Sequence, residues 1–359
     1  MKINIFYGPK REFDKIKPSN DFLILNQFVK LLDNNQHMEN NNSYKYLVAN
    51  SENYSGITES ALQNFIQIIT CGNFDEIFLQ NPPRNIKQLL KNTFDDITET
   101  NHKYKKLGKK QFQKINNEFD NRIIGQREVK NALLNVLFPL IKDYNKSKPT
   151  CILFYGISGV GKTETAKFLS EVLEEKLFRK QLSMFQNNKF SEYLFGGNHM
   201  QSSFARDLLE RESNIILLDE FDKAANIFHE AFYQLFDEGV YEDPNYTVKL
   251  DNSIIICTSN YINSEDIRKN IGDPLFFRFD KVISFKNLDK KSIKKIIVKT
   301  IYEKYHELEP EDQILIDKND LIKYFDKYSD KLINTRQISN LVNEKINEIL
   351  VKEFLDETK

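Results

Sequence analysis

A chain of 359 residues is long enough to form two or three domains, each with its own hydrophobic core. Its 51 lysine and arginine residues nearly match its 52 aspartate and glutamate residues, so no overall positive charge indicates a nucleic-acid partner. The three cysteines are scattered, which predicts a reducing compartment, the cytoplasm, and no disulfide framework. No apolar run approaches the roughly eighteen residues of a membrane span, and the start lacks a signal-peptide pattern, so we expect a soluble protein without a membrane partner.

Residues 1–108 have the pattern of a small α/β domain. Apolar periodicity predicts strands at Ile3–Tyr7, Tyr44–Val48 and Glu76–Gln80, one helix burying Leu62, Phe65, Ile66 and Ile69, and another around Ile86, Leu89 and Leu90. The polar stretch Glu39–Ser43 predicts an exposed loop. The region has no metal-ligand spacing, no phosphate loop and no nucleophile with a base, so we expect it to serve docking or regulation.

A basic segment spans the boundary between this region and the next. Its lysines are Lys103, Lys105, Lys106, Lys109, Lys110 and Lys114. One interpretation is a solvated linker or helix face, and the other is a patch that contacts phosphate.

The central feature of the chain is a complete GxxxxGK[ST] phosphate loop. It reads Gly156-Ile157-Ser158-Gly159-Val160-Gly161-Lys162-Thr163, directly after the apolar run 151–155 and before a segment with helical periodicity. This order is physically required, because a strand delivers the loop, backbone N–H groups surround the phosphate, and a helix N-terminus faces the anion. We expect Lys162 to reach the terminal phosphates and the Thr163 hydroxyl to ligate Mg²⁺.

A second buried strand, Ile215–Leu218, ends in two adjacent carboxylates, Asp219 and Glu220. Neighbouring strand residues point in opposite directions, so the two side chains can have different roles. We expect Asp219 to hold the magnesium shell with Thr163, and Glu220 to orient and deprotonate the attacking water. The alternative is an acidic cap on a following helix.

Two further polar positions follow apolar strands. Asn260 directly follows the run Ile254–Ser259 and could bind the attacking water. The alternative is an ordinary turn, because polar residues are common in the turns that follow strands. Arg278 stands among aromatic residues before the predicted strand Lys281–Phe285. It is either a salt-bridged structural residue or a cation presented to the γ-phosphate of a neighbour, as in arginine fingers.

In order and spacing, these motifs resemble an AAA+ ATPase module, and more narrowly the Clp/heat-shock unfoldase branch. Arg122–Gln126 resembles the opening of those modules, Asp219–Ala224 resembles their Asp-Glu-Ile-Glu-Lys-Ala, and Phe232–Gly239 with a hairpin to Leu250 resembles their helix and Asp-Gly turn. The resemblance covers Phe119–Val351, about two thirds of the chain. It implies an α/β fold: an AAA+ phosphate-loop NTPase with a five-stranded parallel sheet and a C-terminal helical lid, usually assembled as a six-membered ring.

The resemblance also implies site roles. Glu220 becomes the general base, Asn260 the first sensor and Arg278 a finger acting in trans on the adjacent subunit. Ile123 and Ile124, from the opening motif, join the phosphate loop and Glu164 as ATP-binding residues. The implied cofactors are ATP and Mg²⁺.

The segment from Asn287 to Lys359 is predicted to be the helical lid. Two apolar stripes at helical spacing, Ile293–Ile301 and Ile338–Ile349, support this prediction. Between them, Asn334-Thr335-Arg336 resembles the Gly-Ala-Arg start of the last lid helix, which implies that Arg336 is the second sensor; Thr335 would cap the helix.

One stretch departs from the family. Unfoldase modules thread polypeptide with an aromatic-hydrophobic-glycine loop, whereas Leu194–Gln201 is several residues shorter and lacks Tyr-Val-Gly. This departure argues against threading, although Phe195, His199 or Met200 could substitute as the gripping side chain. A single histidine or methionine in a loop is usually solvent-exposed.

We therefore divide the chain into an N-terminal docking or regulatory domain (1–108), an AAA+ large subdomain (109–287) and a lid (288–359). The leading hypothesis is that ATP turnover in a ring, a hexamer by analogy, remodels a protein partner recruited through residues 1–108. One alternative is a nucleotide-gated switch or scaffold that recruits an effector through the same region. A third alternative, a nucleic-acid motor or loader, is the weakest, because the chain has no basic surface and no added DNA-binding motif. A peptidase partner is not supported, because the sequence has no Ile-Gly-Phe docking tripeptide.

Overall fold

The computed structural model describes residues 1–33, 44–142, 148–184, 188–224 and 226–357. The loop predicted at Glu39–Ser43 lies outside these residues. None of the helices in the described ranges combines the length and the apolar character needed to cross a bilayer.

The N-terminal unit, residues 1–108, contains a five-stranded parallel sheet in the order β2-β3-β4-β1-β5. Its strands are β1 (Lys2–Tyr7), β2 (Phe22–Ile24), β3 (Tyr46–Ala49), β4 (Glu76–Gln80) and β5 (Ile97–Asn101). Its helices are α1 (Lys10–Ile16), α2 (Leu25–Asp33), α3 (Ser51–Ser55), α4 (Glu59–Gln63), α5 (Phe65–Thr70) and α6 (Arg84–Thr93). The alternating Ile3 and Ile5 are fully buried, as the strand prediction requires.

The predicted helix through Leu62 and Ile69 is wrong in one respect, because it is two short helices, α4 and α5. They meet at Asn64, whose ψ of 19° interrupts the helical conformation. Asparagine favours such positions because its side chain competes with helical hydrogen bonding. Leu62, Phe65 and Ile69 are nevertheless buried together in the core of this unit.

The second five-stranded sheet is also parallel, with the order β12-β6-β11-β8-β7. These strands are β6 (Thr150–Tyr155), β7 (Phe178–Gln181), β8 (Ile215–Asp219), β11 (Ile254–Ser259) and β12 (Lys281–Ser284). A small antiparallel hairpin, β9 (Val240–Glu242) and β10 (Thr247–Lys249), lies between β8 and β11 in the sequence. The predicted five-stranded parallel sheet is therefore confirmed.

Helices cover both faces of this sheet. They are α7 (Lys109–Arg122), α8 (Arg127–Ile141), α9 (Lys162–Val172), α10 (Asn188–Phe195), α11 (Phe204–Leu209), α12 (Asn226–His229), α13 (Tyr233–Glu238), α14 (Ser264–Ile271) and α15 (Asp273–Phe276). Two separate hydrophobic clusters fill the two faces. Strands buried on both sides read as continuous apolar runs, which is why β6, β8 and β11 were visible in the sequence.

The C-terminal part is helical, with α16 (Lys290–Glu307), α17 (Pro310–Leu315), α18 (Lys318–Asp326) and α19 (Thr335–Glu357). The two predicted apolar stripes meet, because Ile297 and Ile301 of α16 share one cluster with Ile338 and Val342 of α19. This helical part and the carboxyl edge of the second sheet border the same cleft.

Candidate active site

The phosphate loop connects β6 to α9 with the backbone that the motif requires. Gly156 and Gly159 have φ values of +136° and +76°, which favour glycine. A Cβ on Gly156 would collide with the Phe285 carbonyl oxygen, and one on Gly159 would collide with Asn334. Both glycines are therefore needed for close packing as well as for the turn.

Lys162 begins α9, and its side chain lies under the loop. The ammonium donates to the carbonyl oxygens of Gly156 (2.6 Å) and Ile157 (2.8 Å), and to Asn260 Oδ1 (3.0 Å). Burial lowers the pKa of Lys162 to about 8, against a smaller raising effect of nearby carboxylates including Asp219. A phosphate at this loop would give the buried ammonium an anionic partner that these neutral oxygens do not supply.

Asp219, at the end of β8, is the anionic centre of the cleft. Its Oδ2 lies 3.5 Å from Thr163 Oγ1, and its Oδ1 accepts from the Thr258 hydroxyl. A hydroxyl and a carboxylate are oxygen ligands of the kind that Mg²⁺ prefers, so this pair fits the metal. Arg179 pairs with the same Oδ2, with Nε at 3.0 Å, and would compete with a divalent ion for the charge of Asp219.

Glu220 follows Asp219 with a left-handed backbone, φ 54°. Its N–H donates to Thr258 Oγ1 (2.9 Å), and its Oε2 accepts from Gln181 Nε2 (3.1 Å). Such a conformation is uncommon for a non-glycine residue and is held here by neighbouring strands. Glu220 and Lys162 line the same cavity, which has a volume of about 360 Å³.

The lid contributes the opposite wall of this cavity. Thr335 donates to the Gly159 carbonyl oxygen from both its backbone N–H (3.0 Å) and its hydroxyl (2.9 Å). Arg336 reaches the loop through a hydrogen bond from Nη1 to Ser158 Oγ (3.2 Å). The Thr335 hydroxyl, which the alanine of the family motif lacks, therefore adds a contact with the phosphate loop. The prediction that Thr335 caps the helix is wrong, because the Asn334 Oδ1 accepts the hydrogen bond from the Gln337 N–H (2.9 Å) instead.

A second cavity of about 600 Å³ adjoins the first and shares Gly161, Glu164 and Arg336 with it. Ile123, Ile124 and Val160 line it, together with residues of α16. Glu164 is paired with Arg122 at 2.7 Å. The apolar side of this space suits a nucleoside, and the first cavity suits its phosphates.

Arg278 lies apart from both cavities. Its Nε donates to Asp237 Oδ2 (2.7 Å), its Nη1 donates to the Pro274 carbonyl oxygen (2.6 Å), and its guanidinium lies 4.6 Å from the centre of the Tyr233 ring. The side chain is 29% exposed. Arg278 therefore forms the ion pair expected of a structural residue, and it also has the exposure that a cation presented to a neighbouring subunit requires.

The stretch Leu194–Gln201 contacts the N-terminal unit through His199. Phe195 and Met200 are exposed, but His199 is only 6% exposed and its Nε2 lies 3.0 Å from the Ile57 carbonyl oxygen. The expectation that a histidine in this loop faces solvent is wrong, because the N-terminal unit covers it.

Glu210, directly after α11, joins the N-terminal unit to the unit that contains the second sheet. Glu210 accepts hydrogen bonds from Gln80 Nε2 (2.8 Å), Asn81 Nδ2 (2.9 Å) and the backbone N–H of Lys10 (2.9 Å), and also from the Ser51 hydroxyl. Its partners lie where strands of the N-terminal sheet end. The interface is therefore polar and directional.

Arg179, Gln181 and Thr258 contact the predicted carboxylates, but the sequence assigned them no role. Arg179 and Gln181 lie on β7, a short strand with no apolar run, and Thr258 lies within the strand before Asn260. The parallel register pairs Gln181 with Asp219, which brings both β7 side chains to the site. For Arg179 and Gln181 the signal would have been a polar strand predicted beside β8, whereas Thr258 lies in a strand that was predicted.

Comparisons with known proteins agree with this architecture. A family model described as "AAA domain (Cdc48 subfamily)" matches residues 147–356. The chaperone protein ClpB of Clostridium perfringens is 30% identical over 217 residues, covering 51% of this chain and 25% of that protein. ClpB of Malacoplasma penetrans is 29% identical over 279 residues, covering 70% of this chain and 39% of that protein.

A closed-state cryo-electron-microscopy reconstruction of Hsp104 with ATPγS and FITC casein has the same fold, with a TM-score of 0.58. The sequence identity is 15%, over 99% of this chain and 88% of that one. The chain spans between about a quarter and two fifths of the length of the curated ClpB relatives given above.

Proposed function

Because this chain belongs to the AAA family and is a Clp/Hsp100-type AAA+ ATPase, we propose that it couples ATP hydrolysis in a ring of identical subunits to the remodelling of a protein partner. The observation that carries the proposal is the convergence of Lys162, Asp219, Glu220 and Asn260 on one cavity at the carboxyl ends of neighbouring strands. Ligands of open α/β sheets bind at this edge.

The residues divide the chemistry between them. Backbone N–H groups of residues 156–161 and the Lys162 ammonium bind the phosphates, and Arg336 approaches them from the lid. Thr163, with Asp219 behind it, would hold Mg²⁺, which supplies charge neutralisation when bound. Glu220 Oε accepts the proton of the attacking water, and Asn260 orients that water.

Arg278 completes the site of the adjacent subunit in this proposal. It lines neither cavity of its own chain, yet it is partly exposed and oriented by its contacts with Asp237 and Tyr233. A preorganised cation of this kind stabilises the charge that develops on a transferred phosphoryl group. The alternative is a purely structural ion pair with Asp237.

Mixing two inactive variants distinguishes these roles. Glu220→Gln should bind ATP without hydrolysing it, and Arg278→Ala should behave likewise, with rates lowered by about 10³ or more for the arginine. Mixed rings should regain activity, because an intact Glu220 then meets an intact Arg278 across an interface. Arg268→Ala is the matched control, since Arg268 is a nearby exposed arginine paired with Asp273. Failure of the mixture to recover activity, with rings present, would contradict action in trans.

A specific observation supports a second candidate, a nucleotide-gated switch. The loop that would grip a substrate is short, and His199 is bound to the N-terminal unit of the same chain. ATP-driven assembly could then expose or hide residues 1–108 for an effector.

Unfolding of a tagged fluorescent protein separates the two candidates. Remodelling predicts ATP-dependent unfolding that Phe195→Ala and Met200→Ala abolish. A switch predicts ATP-dependent oligomers with slow turnover, no stimulation by the substrate and no effect of these two substitutions on turnover.

A further inference from the structure

A cavity of about 610 Å³ lies between the N-terminal unit and the large sheet's unit, and none of its lining residues borders the nucleotide cavities. On one side are Tyr7 and Asn101, where β1 and β5 end. On the other are Arg211, after α11, and Lys249, at the end of the β9–β10 hairpin. Its volume is that of a small-molecule site, and the carboxyl edge of a parallel sheet is where such ligands bind.

The most informative residue in this cavity is Arg211. It is only 4% exposed, and its guanidinium lies 4.0 Å from the centre of the Tyr104 ring. One nitrogen, Nη1, donates to the Leu208 carbonyl oxygen (2.7 Å), whereas buried Nε has no hydrogen-bond partner in the described part of the chain. Arg211 also forms no ion pair with the residues described. Burial lowers the pKa of Arg211, and the nearby Tyr104, Glu175 and Asp251 oppose this without forming an ion pair with it. A buried guanidinium stays charged, so the open Nε indicates a site for an anion.

The charges of the cavity are predominantly positive. Five basic side chains line it, namely Lys87, Lys103, Lys106, Arg211 and Lys249. The acidic ones are Glu99 and Asp251, and Glu99 is already neutralised by Lys87 at 3.0 Å and Lys91 at 2.6 Å. Lys103, Lys106 and Lys249 form no ion pair within the described ranges. The excess of positive charge suits a ligand with at least two negative charges, which a phosphate carries and a single carboxylate does not.

Tyr7 adds a neutral donor at the same place. Its hydroxyl is buried without a hydrogen-bond partner among the described residues, and burial raises the pKa of Tyr7, so the hydroxyl keeps its proton. The hydroxyl can therefore donate to an oxyanion bound in this cavity. The Lys87 ammonium lies 4.9 Å from the centre of the Tyr7 ring, and this cation–π contact holds the ammonium at the cavity.

We propose that this interdomain cavity binds a phosphate-bearing small molecule, with Arg211 and Tyr7 on the phosphate and Lys103 and Lys106 at the entrance. The basic segment after the first sheet is then in part a ligand-binding wall instead of only a linker. Since both units line the cavity, the bound molecule joins them and stabilises their contact.

The test is calorimetric titration of inorganic pyrophosphate into the full chain carrying Lys162→Ala, which disables the phosphate loop. We expect one site per chain. Arg211→Gln should weaken it by about 10- to 100-fold, as expected for loss of charge-assisted hydrogen bonds. Replacing Lys103 and Lys106 together by alanine should weaken it by about 3- to 10-fold.

The matched control replaces Lys109 and Lys110 together by alanine, which removes the same two charges from the same basic segment at positions that do not line the cavity. The affinity of this control should equal that of the parent. If Arg211→Gln does not fold, as judged by circular dichroism, the comparison of the two lysine pairs decides. No binding, an unaffected Arg211→Gln affinity, or equal losses in the pair and in the control would overturn the proposal.

Discussion

The affinity for ATP should depend on the protonation of Lys162. Burial lowers its pKa to about 8, so the ammonium is about 90% protonated at pH 7 and about 10% at pH 9. Because only the charged form pairs with phosphate, raising the pH removes the interaction, and bound phosphate in turn raises the pKa. The Kd for ATP with excess Mg²⁺ should therefore rise about tenfold between pH 7 and pH 9, equivalent to ~1.4 kcal/mol.

Equilibrium titration with a fluorescent ATP analogue measures this change directly. Lys162→Arg is the control, because a guanidinium stays protonated throughout the range and its affinity should not vary. Circular dichroism at each pH verifies that the protein remains folded. A constant Kd for the parent, or an equal rise in Lys162→Arg, would refute the reasoning.

Three other outcomes follow from contacts outside the phosphate loop. Glu210→Ala should speed amide hydrogen exchange in residues 51–57 and leave the ATP Kd within about twofold, since the bonds it removes all go to the N-terminal unit. Unchanged exchange would contradict this. Arg179→Ala should lower the Mg²⁺ concentration needed for nucleotide binding by about 2- to 5-fold, because it frees Asp219; a higher requirement would instead make Arg179 a phosphate ligand. Leu217→Ala, at a fully buried strand position, should lower the free energy of unfolding by about 2–5 kcal/mol, measured by urea titration. Leu315→Ala, at a 39% exposed position, is the control and should change the free energy of unfolding by about 0.5 kcal/mol or less.

Much of the nucleotide cleft was predictable because its signals are local. The loop 156–163 lies in consecutive positions between a strand and a helix, and the buried parallel strands β6, β8 and β11 read as unbroken apolar runs. Since the carboxyl ends of parallel strands meet at one edge, Lys162 and Asn260 had to lie near each other, and they are hydrogen-bonded at 3.0 Å. The roles of the site residues remain predictions for the experiments above.

Other features depended on packing between distant segments. No spacing in the sequence relates Glu210 to Asn81, or Arg211 to Tyr104, since each pair is joined only when the two sheets dock. Arg179 was equally invisible, because a short polar strand has no apolar pattern and its place beside Asp219 comes from strand register. The sequence by itself therefore determined the phosphate loop, the buried strands and the lid stripes. Only the tertiary structure decided the burial of His199 and the basic interdomain cavity, because periodicity records which face of an element is buried and not which distant element covers it.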